Sequence, residues 1–359
     1  MDDAKQDSII SQFCDMVEKT EVEDGKPVSV AILIHDGPDP DAIGGAIALR
    51  HILSSHVKRQ TETTIIYGGE ISHPLNKTMV NVLGIQMTHV KDVGPIETPP
   101  FHHFVCVDCV PSRTVYKDYE FSLVVDHHRN DTKETKLKDI RPVGSVCSIL
   151  WEYMTELGIE LDRNDEEEAI VATAMSVGIK IDTSDFVSDN VTDLDFDAYK
   201  GLLGSINLRN MSNIVNFPIP PYHFELRKML DQEGNVCIEN GVFIGGIGYI
   251  SRAKRDAIPV IAEERARQEG IDTAVIFAIV GNDIQASVRS NSLSIDVNTL
   301  CQNIFGRDFA GGKQGAGAAK IAMGFLGVED EDEEHREKMW EAVRDLIIAR
   351  ILEEMSNHR

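Results

Sequence analysis

The sequence predicts an α/β protein: an N-terminal doubly wound, mainly parallel sheet domain plus a smaller C-terminal α/β domain, with the active site in the cleft between them. Three observations carry this reading. Apolar, β-branched runs at residues 28–34, 104–107 and 121–125 alternate with helical patterns, as in parallel sheets. Each run ends on groups with ligand chemistry: His35 with Asp39 and Asp41, then Asp108, then Asp126-His127-His128. In a parallel sheet all carboxyl ends lie along one edge, outside which ligands bind. Beyond the proline-stiffened stretch at 217–222 the pattern changes to hairpins and glycine-rich segments. A length of 359 residues suits two domains. The expected divisions are 1–216 for the metal-binding catalytic domain, 217–234 for a linker, 235–327 for the substrate-binding domain, and 328–359 for an acidic segment and final helix.

In chain order, Ile9, Ile10, Phe13, Met16 and Val17 form one helical stripe within residues 5–19. The first strand stops at a turn built from Gly37, Pro38 and Pro40, and residues 42–53 follow as a helix whose small residues suit close packing. One imidazole and two carboxylates at such a corner form either an Asp-capped turn or the surroundings of a divalent cation. Similar groups at the next two strand ends favour the cation. A second strand is expected at 65–69 and a short helix at 76–83. Gly144-Ser145-Val146-Cys147 opens a helix whose amino end can face an anion or simply be capped. An apolar segment before Asp182 contributes a fourth carboxylate to the same rim, and Asp193, Asp195 and Asp197 read as solvated.

In the second domain Asn240-Gly241 predicts a hairpin turn. Strands are expected at 273–280 and 284–289 and a helix at 297–305. The glycine-rich run at 311–317 fits neither a P-loop nor a dinucleotide fingerprint. Residues 334–355 read as an amphipathic helix that packs on this domain in preference to joining a homodimer.

Hydrophobic residues make up 42% of the chain and no apolar run is long enough to span a bilayer, so no membrane association is expected. The first residues lack the pattern of a secretory leader and the six cysteines do not form a compact even framework. A cytoplasmic location with reduced thiols is therefore expected. Cys106 and Cys109 have a dithiol or zinc spacing, but on a strand an odd separation sends two side chains to opposite faces. A net charge of −24 argues against duplex DNA and for short or small phosphorylated substrates.

The ordered motifs His35-x-x-x-Asp39-x-Asp41, Asp108, Asp126-His127-His128 and Asp182-Thr183, followed by Arg289-Ser290 and the Gly311–Gly317 run, resemble the DHH phosphoesterase family. The second part is similar to the DHH-associated domain of one branch. That branch includes enzymes that degrade very short oligoribonucleotides, dephosphorylate 3′-phosphoadenosine 5′-phosphate, or open cyclic dinucleotides. The resemblance implies two Mn²⁺ ions, with Mg²⁺ or Co²⁺ as possible substitutes. His35, Asp39 and Asp108 would hold one, and Asp41, Asp108, His127 and Asp182 the other. Asp108, His127 and His128 would form the catalytic group, with His128 facing the substrate and Asp126 orienting a ligand histidine. Arg289, Ser290, Gly311, Gly312, Lys313 and Gly315 would meet a short single-stranded oligonucleotide or small nucleotide. Relatives usually carry histidine where this chain has Lys313. A pyrophosphatase or exopolyphosphatase, and a non-catalytic nucleotide sensor, are the alternative readings.

Overall fold

A computed structural model describes residues 8–23, 25–94, 101–128, 135–292, 294–313, 315–326 and 333–357. The chain divides into two compact units, 1–217 and 218–359. The first contains α1 (Ile9–Glu18), β1 (Val28–Leu33), α2 (Pro40–His56), β2 (Thr61–Tyr67), α3 (Pro74–Leu83), β3 (Thr88–His89), β4 (His103–Val107), β5 (Leu123–Asp126), β6 (Leu137–Ile140), α4 (Val146–Glu156), α5 (Glu166–Asp182), α6 (Asp193–Leu202) and α7 (Leu208–Val215). Its strands run β3-β2-β1-β4-β5-β6, every pairing parallel. The order reverses between β1 and β4, which puts a crevice beyond their carboxyl ends.

Strand alternation divides the apolar side chains between the two faces of this sheet. Val28, Val30 and Ile32 pack under helices α1 to α7. Ala31 and Leu33 face a smaller cluster that includes Phe104, Tyr116 and Phe121. Adjacent glycines bring α2 close to its neighbours: a Cβ on Gly44 would lie 2.8 Å from the Ala174 carbonyl of α5, and one on Gly45 would lie 2.8 Å from Val107 on the sheet. Gly44 thus faces another helix, while Gly45 faces the sheet.

Two sequence expectations change. Asp108 follows β4 with φ of 53°, which breaks the strand alternation. Cys106 and Cys109 consequently lie in one apolar cluster instead of on opposite faces, both as buried free thiols. Asp195, expected in solvent, is fully buried. Its carboxylate accepts hydrogen bonds from the Thr192 amide (2.8 Å) and hydroxyl (2.9 Å), the Gly144 amide (2.9 Å) and the Ser148 hydroxyl (2.6 Å), so it closes a capping box on α6 and also ties down the start of α4.

The second unit contains α8 (Pro221–Lys228), β7 (Val236–Glu239), β8 (Val242–Ile250), α9 (Ala257–Ala266), β9 (Thr273–Val280), β10 (Asp283–Ser290), α10 (Val297–Phe305), β11 (Ala310–Lys313), β12 (Ala316–Ala322) and α11 (Glu333–Asn357). Its sheet runs β11-β12-β10-β9-β8-β7, with β8 and β9 parallel and the other pairs antiparallel. Helices α10 and α11 cover one face, and α8 and α9 the other. Asn240 and Gly241, with φ of 54° and 80°, make the hairpin turn between β7 and β8. Trp340, Val343, Ile347 and Ile351 bury one side of α11 against this sheet. The glycine-rich run forms the hairpin of β11 and β12. A Cβ on Gly312 would lie 2.7 Å from the Ala316 carbonyl, so tight strand packing requires glycine there.

Candidate metal centre

His35 leaves the end of β1, and Asp39 caps α2 by accepting from the amides of Asp41 and Ala42, both at 3.1 Å. Asp41 lies in the first turn of that helix and is 1% exposed. The amino end of α4 grips its carboxylate: the Val146 amide donates to Oδ2 at 2.7 Å, the Cys147 amide to Oδ1 at 3.1 Å, and the Ser145 hydroxyl also donates to Oδ1. The anion facing this helix start is therefore the chain's own carboxylate. Asp108, in the left-handed region at a cost of roughly 1–2 kcal/mol, enters from β4. His127 follows β5 and donates from Nδ1 to the Val143 carbonyl at 2.9 Å, which leaves Nε2 facing the rim. Asp182 is the last residue of α5, where the helix dipole is negative and a carboxylate calls for a positive partner.

The separations are short. His35 Nε2 lies 3.6 Å from Asp39 and 3.5 Å from Asp108. His127 Nε2 lies 3.3 Å from Asp182, 3.5 Å from Asp108 and 3.7 Å from Asp41. Three groups have ligand atoms that all approach within 4.8 Å: His35, Asp39 and Asp108; Asp41, His127 and Asp182; and Asp108, His127 and His128. Asp108 thus touches the first group through His35 and the second through His127. Asp126 accepts from the amide of His128 at 3.0 Å and lies 2.9 Å from its Nδ1, so it orients His128, while the Val143 carbonyl orients His127. The His128 side chain is 47% exposed.

Electrostatics describe a site that needs cations. Burial opposes charge on His35, but Asp108 and Asp39 outweigh it and raise the imidazole to about 11. Burial likewise opposes charge on His127, which Asp108, Asp41 and Asp182 raise to about 10. Asp108 and Asp126 raise His128 to about 9. Burial works against charge on Asp108, yet His127, His128 and His35 hold it well below the usual carboxylate range. Burial and then Asp108 push Asp41 up to about 7. Without a metal, protonated imidazoles must supply the positive charge that the carboxylates require. Asp108 Oδ1 and His127 Nε2 are buried and make no hydrogen bond among the described residues. Such atoms cost free energy unless they are ligated, so the donor set fits hard divalent cations with some imidazole affinity.

Two contributions were not expected from the sequence. Ser145 holds Asp41, and Asp195 holds the backbone that presents Ser145. The Thr192-x-x-Asp195 spacing advertises a capping box, but its second reach to Gly144 and Ser148 is a tertiary event.

In the second unit, β10 brings Arg289 and Ser290 together, and the Ser290 amide donates to the Gly315 carbonyl at 2.9 Å. The Arg289 guanidinium bonds to the Ser287 hydroxyl (2.9 Å) and the Val288 carbonyl (3.0 Å), and burial lowers its pKa. The Ser290 hydroxyl lies 2.8 Å from that of Thr273. Gly311, Gly312 and Lys313 lie on β11, and the Gly312 amide donates to Asn298 Oδ1 at 3.0 Å.

Comparison with known proteins places these features in a family. The profile of the DHH family, N-terminal domain, matches residues 29–179. An uncharacterised protein of Methanocaldococcus jannaschii is 34% identical over 339 residues, covering 93% of this chain and 66% of that protein. The chain thus spans slightly under two thirds of that relative's length. A manganese-dependent inorganic pyrophosphatase of the same organism is 26% identical over 263 residues, covering 68% of this chain and 80% of that protein. Among solved structures, an exopolyphosphatase-related protein from Bacteroides fragilis superposes with a TM-score of 0.66 at 14% identity, covering 97% of this chain and all of that one, which is a likeness of fold. Matched profile, motif order and the sheet beneath them agree: residues 29–179 are a DHH family N-terminal domain.

Proposed function

We propose that this chain is a Mn²⁺-dependent phosphodiesterase or phosphatase acting on short oligonucleotides or small nucleotides. The observation that most supports it is the place of Asp108, within 3.5 Å of both His35 and His127 and so in reach of both ligand groups. His35, Asp39 and Asp108 would hold one ion, and Asp41, Asp108, His127 and Asp182 the other. Mixed carboxylate and imidazole donors favour Mn²⁺ over Mg²⁺. A bound pair of such ions supplies Lewis acidity and an activated water for in-line displacement at phosphorus. The protein's part is to hold the donors rigid: Ser145 and the α4 amides fix Asp41, and the Val143 carbonyl fixes the His127 tautomer. His128, gripped at Nδ1 by Asp126, presents Nε2 as a proton donor to the leaving oxygen. His128→Ala is expected to lower kcat by about 10²- to 10⁴-fold while divalent-ion affinity, measured by calorimetry, changes little. An equal loss of ion affinity would make His128 a ligand instead.

The pH behaviour has a defined sign. His35 and His127 bind protons more tightly in the folded chain, so without metal their stabilisation is complete below about pH 6.5. It is lost as pH rises through about 10 to 11. In chelator, Tm is expected to fall between pH 7 and pH 10, and Mn²⁺, which displaces those protons, to restore it. A chelated Tm that stays level over this range would contradict the assignment.

Product analysis with Mn²⁺ on dinucleotides, longer RNA, 3′-phosphoadenosine 5′-phosphate, cyclic dinucleotides, pyrophosphate and polyphosphate tests the substrate class. Cleavage of the short nucleotides is expected. The likeness to a manganese-dependent pyrophosphatase supports a second reading, phosphoanhydride hydrolysis. Phosphate release from pyrophosphate with none from the nucleotides would favour it.

A further inference from the structure

Immediately past Asp182, the chain does something costly. Ser184, Asp185 and Phe186 all take left-handed backbone angles, with φ of 49°, 60° and 66°, although none is glycine. The turn is held closed. The Asp185 amide donates to the Lys180 carbonyl at 2.8 Å, the Phe186 amide to the Thr183 hydroxyl at 3.2 Å, and the Val187 and Ser188 amides to the Thr183 carbonyl at 3.1 Å. Strain that the surroundings enforce in this way marks functional positions. Its product is the placement of Phe186, which stacks on Phe196 of α6 with ring centroids 4.9 Å apart and planes at 22°. Tyr199 meets Phe186 edge-on at 5.2 Å. Phe196 remains 52% exposed.

This aromatic pair is tied to the metal centre at both ends. Phe186 follows Asp182 by four residues, in a turn that folds back on the end of α5. Phe196 follows Asp195, whose carboxylate holds the Gly144 amide and Ser148 beside the residues that grip Asp41. Around the pair the charges are acidic: Asp185, Asp189, Asp193 and Asp197 are exposed, and Asp185 pairs with Lys180. A phosphate is repelled there, whereas a neutral ring bearing amino groups is accepted.

We propose that Phe196, backed by Phe186, is the stacking platform for the nucleobase of the nucleotide whose phosphate lies at the metal centre. The proposal rests on the nucleotide reading above and narrows it to substrates with a base next to the scissile phosphate.

Two measurements on the full Mn²⁺-loaded chain separate this proposal from that reading. Titration calorimetry compares adenosine 5′-monophosphate with ribose 5-phosphate, which lacks the base. Kinetics compare a dinucleotide with pyrophosphate. The adenosine compound is expected to bind about tenfold tighter than the sugar phosphate. In Phe196→Ala that advantage should disappear and the dinucleotide KM rise by a similar factor, with kcat and the pyrophosphate rate unchanged. Phe196→Tyr should retain the wild-type advantage. Equal binding of the two ligands by the wild type, or an advantage that survives in Phe196→Ala, overturns the platform. A base-dependent advantage that Phe196→Ala removes, with no hydrolysis of any phosphate ester, leaves the platform standing and overturns the hydrolase reading.

Discussion

Asp108→Asn is expected to reduce the proposed hydrolysis by at least about a thousandfold, and His127→Ala by a similar factor. Asn is the better probe at position 108 because it keeps the side-chain shape and tolerates the left-handed backbone that the native residue adopts. Alanine there would mix loss of a ligand with backbone strain. Both variants should keep the wild-type far-UV circular dichroism spectrum, and calorimetry should show weakened binding of divalent ions. The loss should exceed that of any single ligand change other than His127→Ala, because Asp108 is the residue within reach of both His35 and His127. Full turnover in either variant would remove the basis of the assignment.

Asp195→Ala is expected to be the most damaging substitution outside the ligand set. It leaves four donor groups without their partner: the Gly144 amide, the Ser148 hydroxyl, and the amide and hydroxyl of Thr192. Each buried donor stranded in this way costs about 1–3 kcal/mol, partly relieved by rearrangement. A net loss of about 3–4 kcal/mol corresponds to a fall in Tm of roughly 10 °C for a unit of this size. Asp195→Asn, which keeps most of the acceptor capacity, should lose less. Because Asp195 steadies the segment that clasps Asp41, the milder variant should also bind divalent ions about 10- to 100-fold more weakly. Thermal unfolding with and without Mn²⁺ separates the two effects: a purely structural role would lower both transitions equally.

Much of the rim was legible because strands in a parallel sheet all end on the same side. Reading His35, Asp108 and His127 as strand-end residues was therefore enough to predict that they meet. The hairpin turn at Asn240-Gly241 was legible for an equally local reason, since both residues accept positive φ. What was not legible depended on contacts distant in sequence or on one unusual dihedral. Asp195 looks like an ordinary helix-start residue until α4 packs beside it. Cys109 turns back toward Cys106 only because Asp108 leaves the extended region, and nothing in the local sequence announces that. The glycines of β11 read as substrate contacts, and their place in a tight hairpin was not legible, because close strand packing and close ligand approach call for the same residue.

The clasp on Asp41 bears on product inhibition. Orthophosphate commonly lodges on the free amides that open a helix, but in α4 those amides already hold an internal carboxylate. Phosphate released by the proposed hydrolysis would have to compete for the proposed ions themselves, so its inhibition constant should follow metal occupancy and lose its grip as the ions are withdrawn.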